Sequence, residues 1–347
     1  MRTHQPPLAL KIAALLGATL TWGSSPALAQ SVTVVVNDGV AQHYHLDADA
    51  IDQGLTSLLE QDLHLVDLNS FLVAMANADM LSTKGMGADY ASNVRRLVVG
   101  GGVGTAVNSA GIRLGKGGKE IPDFGFAFQA TAMAGVNLGF LLHDEIFFDR
   151  MILYVNGMKA ETSYEHFDGW MENAGVHLQC KVLRGINARV VRWGGLDVTT
   201  GWEWSGYHMG LSRSLPLTGK VDDMRVSWDA KGTYTLDTTG SSIPIEVSTN
   251  ARVLMLTGFA GLGVDVNDAL GKSLMKLSGD VTGTLYGTDM ALAKALVQKH
   301  GHGRADVVVG RIFVGAQVNA WMVKLYGQAN WGLNGGFGGH TGVRVAF

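Results

Sequence analysis

The chain has 347 residues, a formal net charge of −3 and a single cysteine. The mildly acidic balance argues against a nucleic-acid-binding surface, and Cys180 alone excludes an internal disulfide framework. Glycine is abundant (47) and proline scarce (6), while 47% of residues are hydrophobic. Disordered chains combine both breakers with low hydrophobicity, so this glycine points to bent, closely packed strands.

A secretory signal opens the sequence. Arg2 and Lys11 supply a positive start, Ile12 to Trp22 is a short apolar run, and Ala27-Leu28-Ala29 offers a small-x-small cleavage site before Gln30. The run falls short of the roughly 20 residues of a spanning helix. No later stretch reaches that length either; Val253 to Val264 comes closest and is interrupted by Gly258, Gly261 and Gly263. A membrane position then requires a barrel.

Ser31 to Asn37 reads as a short β-branched strand. His43 and His45 flank Tyr44, a spacing better explained by solvated histidines than by a metal site, since no third ligand lies nearby. Ile51, Leu55, Leu58 and Leu59, then Leu68, Phe71, Leu72 and Met75, carry helical spacing, with Asp67 available as an N-cap. Two short amphipathic helices are expected, and their apolar faces need a partner.

Beyond Val94 the period is two almost throughout. Phe124, Phe126, Phe128, Ala130, Ala132, Ala134, Val136, Leu138 and Phe140 share one face against Gly125, Gln129, Thr131, Met133 and Asn137. Such a run far exceeds the usual strand of about 5–6 residues and suits a tilted membrane strand of about 9–11. Met224, Val226, Trp228 and Ala230 oppose Arg225, Ser227, Asp229 and Lys231; Met275, Leu277, Gly279 and Val281 oppose Lys276, Ser278, Asp280 and Thr282. Taken over the whole β-rich region, polar faces made mostly of Gly, Ser, Thr, Asn and Gln with a few charges fit a hydrated lumen better than the outside of a soluble sandwich. Trp193, Trp202, Trp204, Trp228, Trp321 and Trp331 fall near strand ends, where aromatic girdles stand.

Twelve strands are expected, at 95–107, 124–141, 145–157, 172–184, 188–205, 222–236, 241–248, 251–266, 272–286, 305–318, 321–333 and 336–347. Links after even-numbered strands are short. The long ones, at 108–122, 158–171, 206–221 and 287–304, all follow odd-numbered strands, although the odd links near Thr249 and Asn334 are short as well. Short periplasmic turns and longer external loops produce this parity. The last long link predicts a third helix, with Thr288 as cap, MALAKALVQKH as body and Gly301 as stop; His300 and His302 follow from that helix end rather than from metal binding.

The chain ends GFGGHTGVRVAF. Phe337, Gly339, Thr341, Val343, Val345 and Phe347 share one face; Gly338, His340, Gly342, Arg344 and Ala346 share the other. With its terminal aromatic, the strand resembles the carboxy-terminal assembly signal of bacterial outer-membrane β-barrels, with Val343, Val345 and Phe347 in the signal positions. The resemblance implies a Gram-negative outer membrane, its lipid as surroundings and the barrel-assembly machinery as partner. The expected fold is all-β, a transmembrane antiparallel β-barrel of about twelve strands with an N-terminal helical segment able to plug the lumen. Its divisions are a signal peptide at 1–29, a periplasmic or plug segment at 30–93 and the barrel at 94–347. The final strand should pair with Met322–Trp331 and close on Arg95–Val107.

The stretch TKGMGADYAS, Thr83 to Ser92, is similar to the hatch of FadL-type outer-membrane transporters of fatty acids and other hydrophobic molecules. The Asn-Pro-Ala motif of that family is absent, and Asn93-Val94 stands in its place. The resemblance implies a plug and passage of apolar solutes, and no binding residues transfer with it.

No enzyme motif emerges. His208 and Ser212 in GYHMGLSRS would share a strand face about 13 Å apart, at roughly 3.3 Å per residue, beyond the reach of a nucleophile and its base. His143-Asp144-Glu145 reads as a polar turn, and no Gly-x-Ser-x-Gly, His-Glu-x-x-His or phosphate loop occurs. No catalytic residue, metal or cofactor is therefore expected. The lumen-facing candidates are Gln129, His177, Lys181, Asp229, Lys231, Glu246, Arg252, Lys276, Asp280, Arg311, Gln317, Lys324 and Gln328, of both signs and hence weakly selective. The expected function is a channel or transporter for small or apolar solutes, plugged by the N-terminal segment. A structural or adhesive barrel with a closed lumen is the alternative, and a lipid-modifying hydrolase comes third.

Overall fold

The computed structural model describes residues 30–44, 47–62, 68–109, 124–143, 147–188, 190–221, 224–285 and 287–347. Residues 1–29, expected to be a signal peptide, and Asp67 and His45 lie outside them. Twelve antiparallel strands form one sheet: β1 (Gln30–Val36), β2 (Leu97–Asn108), β3 (Gly125–Asn137), β4 (Met151–Tyr164), β5 (Phe167–Asn187), β6 (Val191–Val221), β7 (Met224–Val253), β8 (Leu256–Leu285), β9 (Thr288–Arg304), β10 (Val308–Ala320), β11 (Val323–Gly332) and β12 (Gly336–Ala346). As the sequence predicts, β12 pairs with β11 on one side and with β2 on the other. That pairing closes a ring and removes its edges. β8 is shared: Leu256 to Val266 pair with β10, and Leu270 to Leu285 pair with β9. β1 adds to the far side of β9. Because β1 and β9 stand beyond the ring, ten of the twelve strands close it.

The end carrying Phe347 and the start of β2 is here called the lower end. Two turns there are short, at Leu254–Met255 and Trp321–Met322, whereas the link from β3 to β4, expected to be short, spans residues 138–150. At the upper end β5, β6, β7, β8 and β9 run on past the ring as a tall sheet, which explains strands of 30 and 31 residues.

Two expected boundaries are therefore absent. No turn occurs at 238–240 or 267–271, where β7 and β8 continue straight through. What changes there is the sense of the pattern. Below, Ile243, Ile245 and Val247 point outward; above, Val226, Trp228 and Ala230 point inward and are buried. β8 does the same, with Leu262 and Val264 outward and Leu277 and Val281 inward. The apolar residues switch faces where the outer surroundings change from lipid to water, and Ile243 opposite Val266 marks the level. Trp228 is accordingly a core residue, whereas Trp321 and Trp331 stand exposed on the outside at opposite ends of the wall.

The expected loop at 158–171 is the hairpin between β4 and β5, and that at 206–221 is the upper half of β6, paired with β7. The expected helix at 288–300 is strand β9. Its residues are good helix formers, but β8 and β1 offer backbone partners on both sides and Ala293, Ala295 and Val297 alternate into a core; two ladders outweigh local propensity. The expected strand at 124–141 stops at Asn137, whose Oδ1 accepts a hydrogen bond from Phe140 N at 3.1 Å and starts a short helix.

The N-terminal segment begins at the upper end, where β1 pairs with β9. After β1 come α1 (Asp38–His43) and α2 (Ala48–Asp62). Ile51, Leu55 and Leu59 of α2 pack on Val221, Trp228, Leu277 and Val281, filling the concave face of the tall sheet. Then α3 (Leu68–Ser82) enters the ring. Its descent can be followed along neighbouring strands: Leu72 lies against Gly271 and Gly303, Leu81 against Gly336, Gly85 against His340, and Arg96 N donates to Phe347 O at 3.2 Å.

Candidate functional site: a filled lumen

α3 is apolar on nearly every side, and twelve of its fifteen residues are buried. A helix with this composition belongs inside a protein, and here the inside is the lumen. Glycines let the wall approach it closely. A Cβ at Gly125 would stand 2.2 Å from the Ala74 carbonyl, so only glycine admits the helix backbone there. Gly85 ends the helical path with φ +83°, a conformation that favours glycine.

Polar contacts tie the segment to the wall at three levels. Uppermost, Asp79 accepts hydrogen bonds from Gln129 Nε2 (3.0 Å), Ser205 Oγ (3.0 Å) and Thr238 Oγ1 (3.1 Å). At mid-height Lys84 Nζ donates to Glu203 Oε2 (2.5 Å) and Ser242 Oγ (2.6 Å) and lies 4.0 Å from Asp265 Oδ1. His177 Nε2 stands 3.7 Å from the other oxygen of Glu203. Lower down, Asp89 pairs with Arg344, Nη1 to Oδ1 at 3.1 Å, and Arg344 Nη2 donates to Ala88 O at 2.7 Å. Tyr90 OH donates to Glu246 Oε2 at 2.6 Å, and its ring leans on Phe259 and Phe313.

The wall carries its own charge pairs behind these contacts. Arg311 donates to Glu246, to Asp265 Oδ2 at 3.0 Å and to Asn330 Oδ1 at 2.9 Å. Charge taken out of water is costly unless paired. Asp79, Lys84 and Asp89 each meet partners on the wall, so removing the segment would strand Glu203 and Arg344 as well.

Of the residues expected in the lumen, Gln129, His177, Glu246, Arg311, Gln317 and Gln328 are buried there, and Gln317 Nε2 donates to Ser92 Oγ at 3.0 Å. Lys181, Arg252 and Lys324 face the lower mouth. Asp229, Lys231, Lys276 and Asp280 do not face the lumen. They are exposed on the outer side of the tall sheet, because the inversion of the pattern puts the polar residues outside there. Val343 and Phe347 point outward and are exposed at the lower end of β12, with Val345 half-buried between them.

Asp79, Lys84, Asp89, Glu203, Asp265 and Arg344 escaped the sequence reading. Arg344 was within reach, since strand parity already put it on the non-apolar face. So was Asp79, the one charged residue of α3.

His208 lies above the apolar belt on the outer face. Its Nδ1 is 2.6 Å from Asp237 Oδ1 and its Nε2 is 3.0 Å from Asp168 Oδ2. Both ring nitrogens thus face carboxylates rather than a serine. Among the described residues no group of three or more His, Cys, Asp or Glu side chains is arranged to hold a metal ion.

A closed ring with an outward apolar belt and a lumen occupied by its own N-terminal segment defines a plugged transmembrane β-barrel. A family model described as Lsa36-like matches residues 33–347, covering plug and wall alike. The chain belongs to the Lsa36-like family. Comparison with curated proteins returns no match. Among solved structures, the chain is similar to the outer-membrane protease OmpT of Escherichia coli, at 9% identity over 73% of this chain and 97% of that one, TM-score 0.35. It is also similar to the translocator domain of the autotransporter NalP from Neisseria meningitidis, at 12% identity over 74% and 90%, TM-score 0.27. A FadL homologue of Pseudomonas aeruginosa matches at 10% identity over 79% and 97%, TM-score 0.24.

Proposed function

We propose that this protein is a bacterial outer-membrane barrel held shut by its own N-terminal segment, acting at the cell surface through the tall sheet above its mouth. The observation that carries this reading is the anchoring of the plug at both ends. Above, β1 is hydrogen-bonded to β9 along seven residues. Below, the plug continues covalently into β2. A plug free at one end can swing aside; this one has to break a strand pairing or several buried ion pairs first. A structural or adhesive role with a closed lumen follows, and no catalytic residue is assigned.

Insertion by the barrel-assembly machinery, with residues 1–29 removed on export, fits the outward Phe347 and the position of Gln30 at the upper end. An epitope inserted between Val221 and Met224 tests the orientation: antibody should bind it on intact cells, and a signal seen only after permeabilisation counts against a surface role. Proteoliposomes carrying the full chain should not swell in isotonic sugar.

Passage of a small solute is the second reading. A cavity beside the plug exit at the lower end favours it, and swelling of the same liposomes would support it.

A further inference from the structure

We propose that the lower vestibule is a binding site for a small multivalent oxyanion of phosphate type, a role that goes beyond the plug. A cavity of about 230 Å³ lies between the plug exit at Ser92–Arg95 and the lower ends of β4, β5 and β6. Five cationic side chains line it: Arg95, Arg150, Lys181, Arg184 and Arg192. Lys181 is already engaged, with Nζ 2.9 Å from Asp197 Oδ1 and 2.8 Å from Gly194 O.

The four arginines are different. Among the described residues none of them has a carboxylate oxygen within 4.0 Å. Asp149 lines the same cavity without pairing with any of them. The Arg150 Nε is buried and has no hydrogen-bond partner. Elsewhere in the lumen the rule is strict pairing: Lys84 with Glu203, Arg311 with Asp265, Arg344 with Asp89. Here, by contrast, four arginines line one open volume, and the adjoining smaller cavity adds Arg252 and Lys324.

Like-charged guanidinium groups that line one cavity repel one another, and a bound anion offsets the repulsion. Guanidinium presents a rigid fork of donors that matches phosphate or carboxylate oxygens in pairs, and it stays charged at any physiological pH. The cavity sets the size. At about 230 Å³ it accommodates a diphosphate or a small phosphate ester. Arg95 belongs to the plug exit while Arg150, Arg184 and Arg192 belong to the wall, so one ligand bridges both.

Calorimetric titration of the full mature chain in zwitterionic detergent tests the site, with pyrophosphate as probe and sodium chloride at matched ionic strength as control. Saturable binding of pyrophosphate alone is the expected result, weakened at least tenfold in the Arg150→Gln, Arg192→Gln double variant. Arg184→Gln provides a second variant at an exposed strand end, where folding is not at stake; it too should weaken binding. Heat-modifiable gel migration verifies that each variant is folded. No saturable heat with the native chain, or equal affinity in folded variants, overturns the proposal. Nanodiscs containing phosphatidylglycerol separate free solute from lipid headgroup. Unchanged affinity there supports a solute site, and loss of pyrophosphate binding there overturns it.

Discussion

Arg344 of β12 and Asp89 of the plug stand 3.1 Å apart, and both are buried. The strand that closes the ring therefore also grips the segment that fills it. Removing one partner leaves a buried charge alone, at a cost of about 3–5 kcal/mol. Arg344→Met and Asp89→Asn should each destabilise the folded form by that order in urea titrations followed by gel mobility. The double variant should cost clearly less than the two added together, because contacting partners couple. Simple additivity would show that the two do not act as a pair.

Close approach of plug and wall makes a second prediction. Gly125→Val sets a branched side chain against the Ala74 backbone, where even a Cβ has no room. Limited proteolysis should then cut within α3 in protein that still shows the folded gel mobility. Gly258→Ala is the matched control, since a Cβ there meets nothing within 4 Å. An α3 equally resistant in both variants contradicts the packing described.

The upper anchor can be tested by deleting β1. Without Gln30 to Val36, α2 loses a neighbour and β9 loses one of its two ladders. Hydrogen exchange should accelerate in β9 and α2 while β2, β11 and β12 keep native protection. Unchanged exchange in β9 would mean that β1 contributes nothing to holding the plug.

His208 makes the tall sheet sensitive to pH. Partial burial by itself lowers its pKa, but hydrogen bonds and charge from Asp237 and Asp168 outweigh burial and hold the pKa above the ordinary value, which is about 6.5. A raised folded-state pKa stabilises fully below the unfolded value and loses that contribution as pH rises through the folded one. Exchange protection where β5, β6 and β7 meet at Trp170, His208 and Asp237 should thus fall from mildly acid to alkaline pH. His208→Gln should flatten that profile; a native profile that is already flat contradicts the assignment.

The closing strand, the alternating wall and the two plug helices were all legible in the sequence, because each rests on a local period. The boundaries on β7 and β8 were not. An inversion of the apolar face looks the same in one dimension as a turn between two strands, and Thr238 to Gly240 offers the small residues of a turn. β9 looks helical in the sequence because MALAKALVQKH favours a helix, and only its strand neighbours on both sides override that preference. Within the lumen, Arg311 and Glu246 followed from parity. Lys84 and Asp89 lie in an irregular stretch with no period, so only the wall residues opposite reveal their role.

The most direct test of a lumen sealed by its own N-terminal segment is current across a planar bilayer. The full mature chain, verified as folded by heat-modifiable migration, should stay silent, and the same barrel without residues 30–93 should open a steady conductance. A steady conductance from the intact chain, unchanged when those residues are removed, would contradict the account.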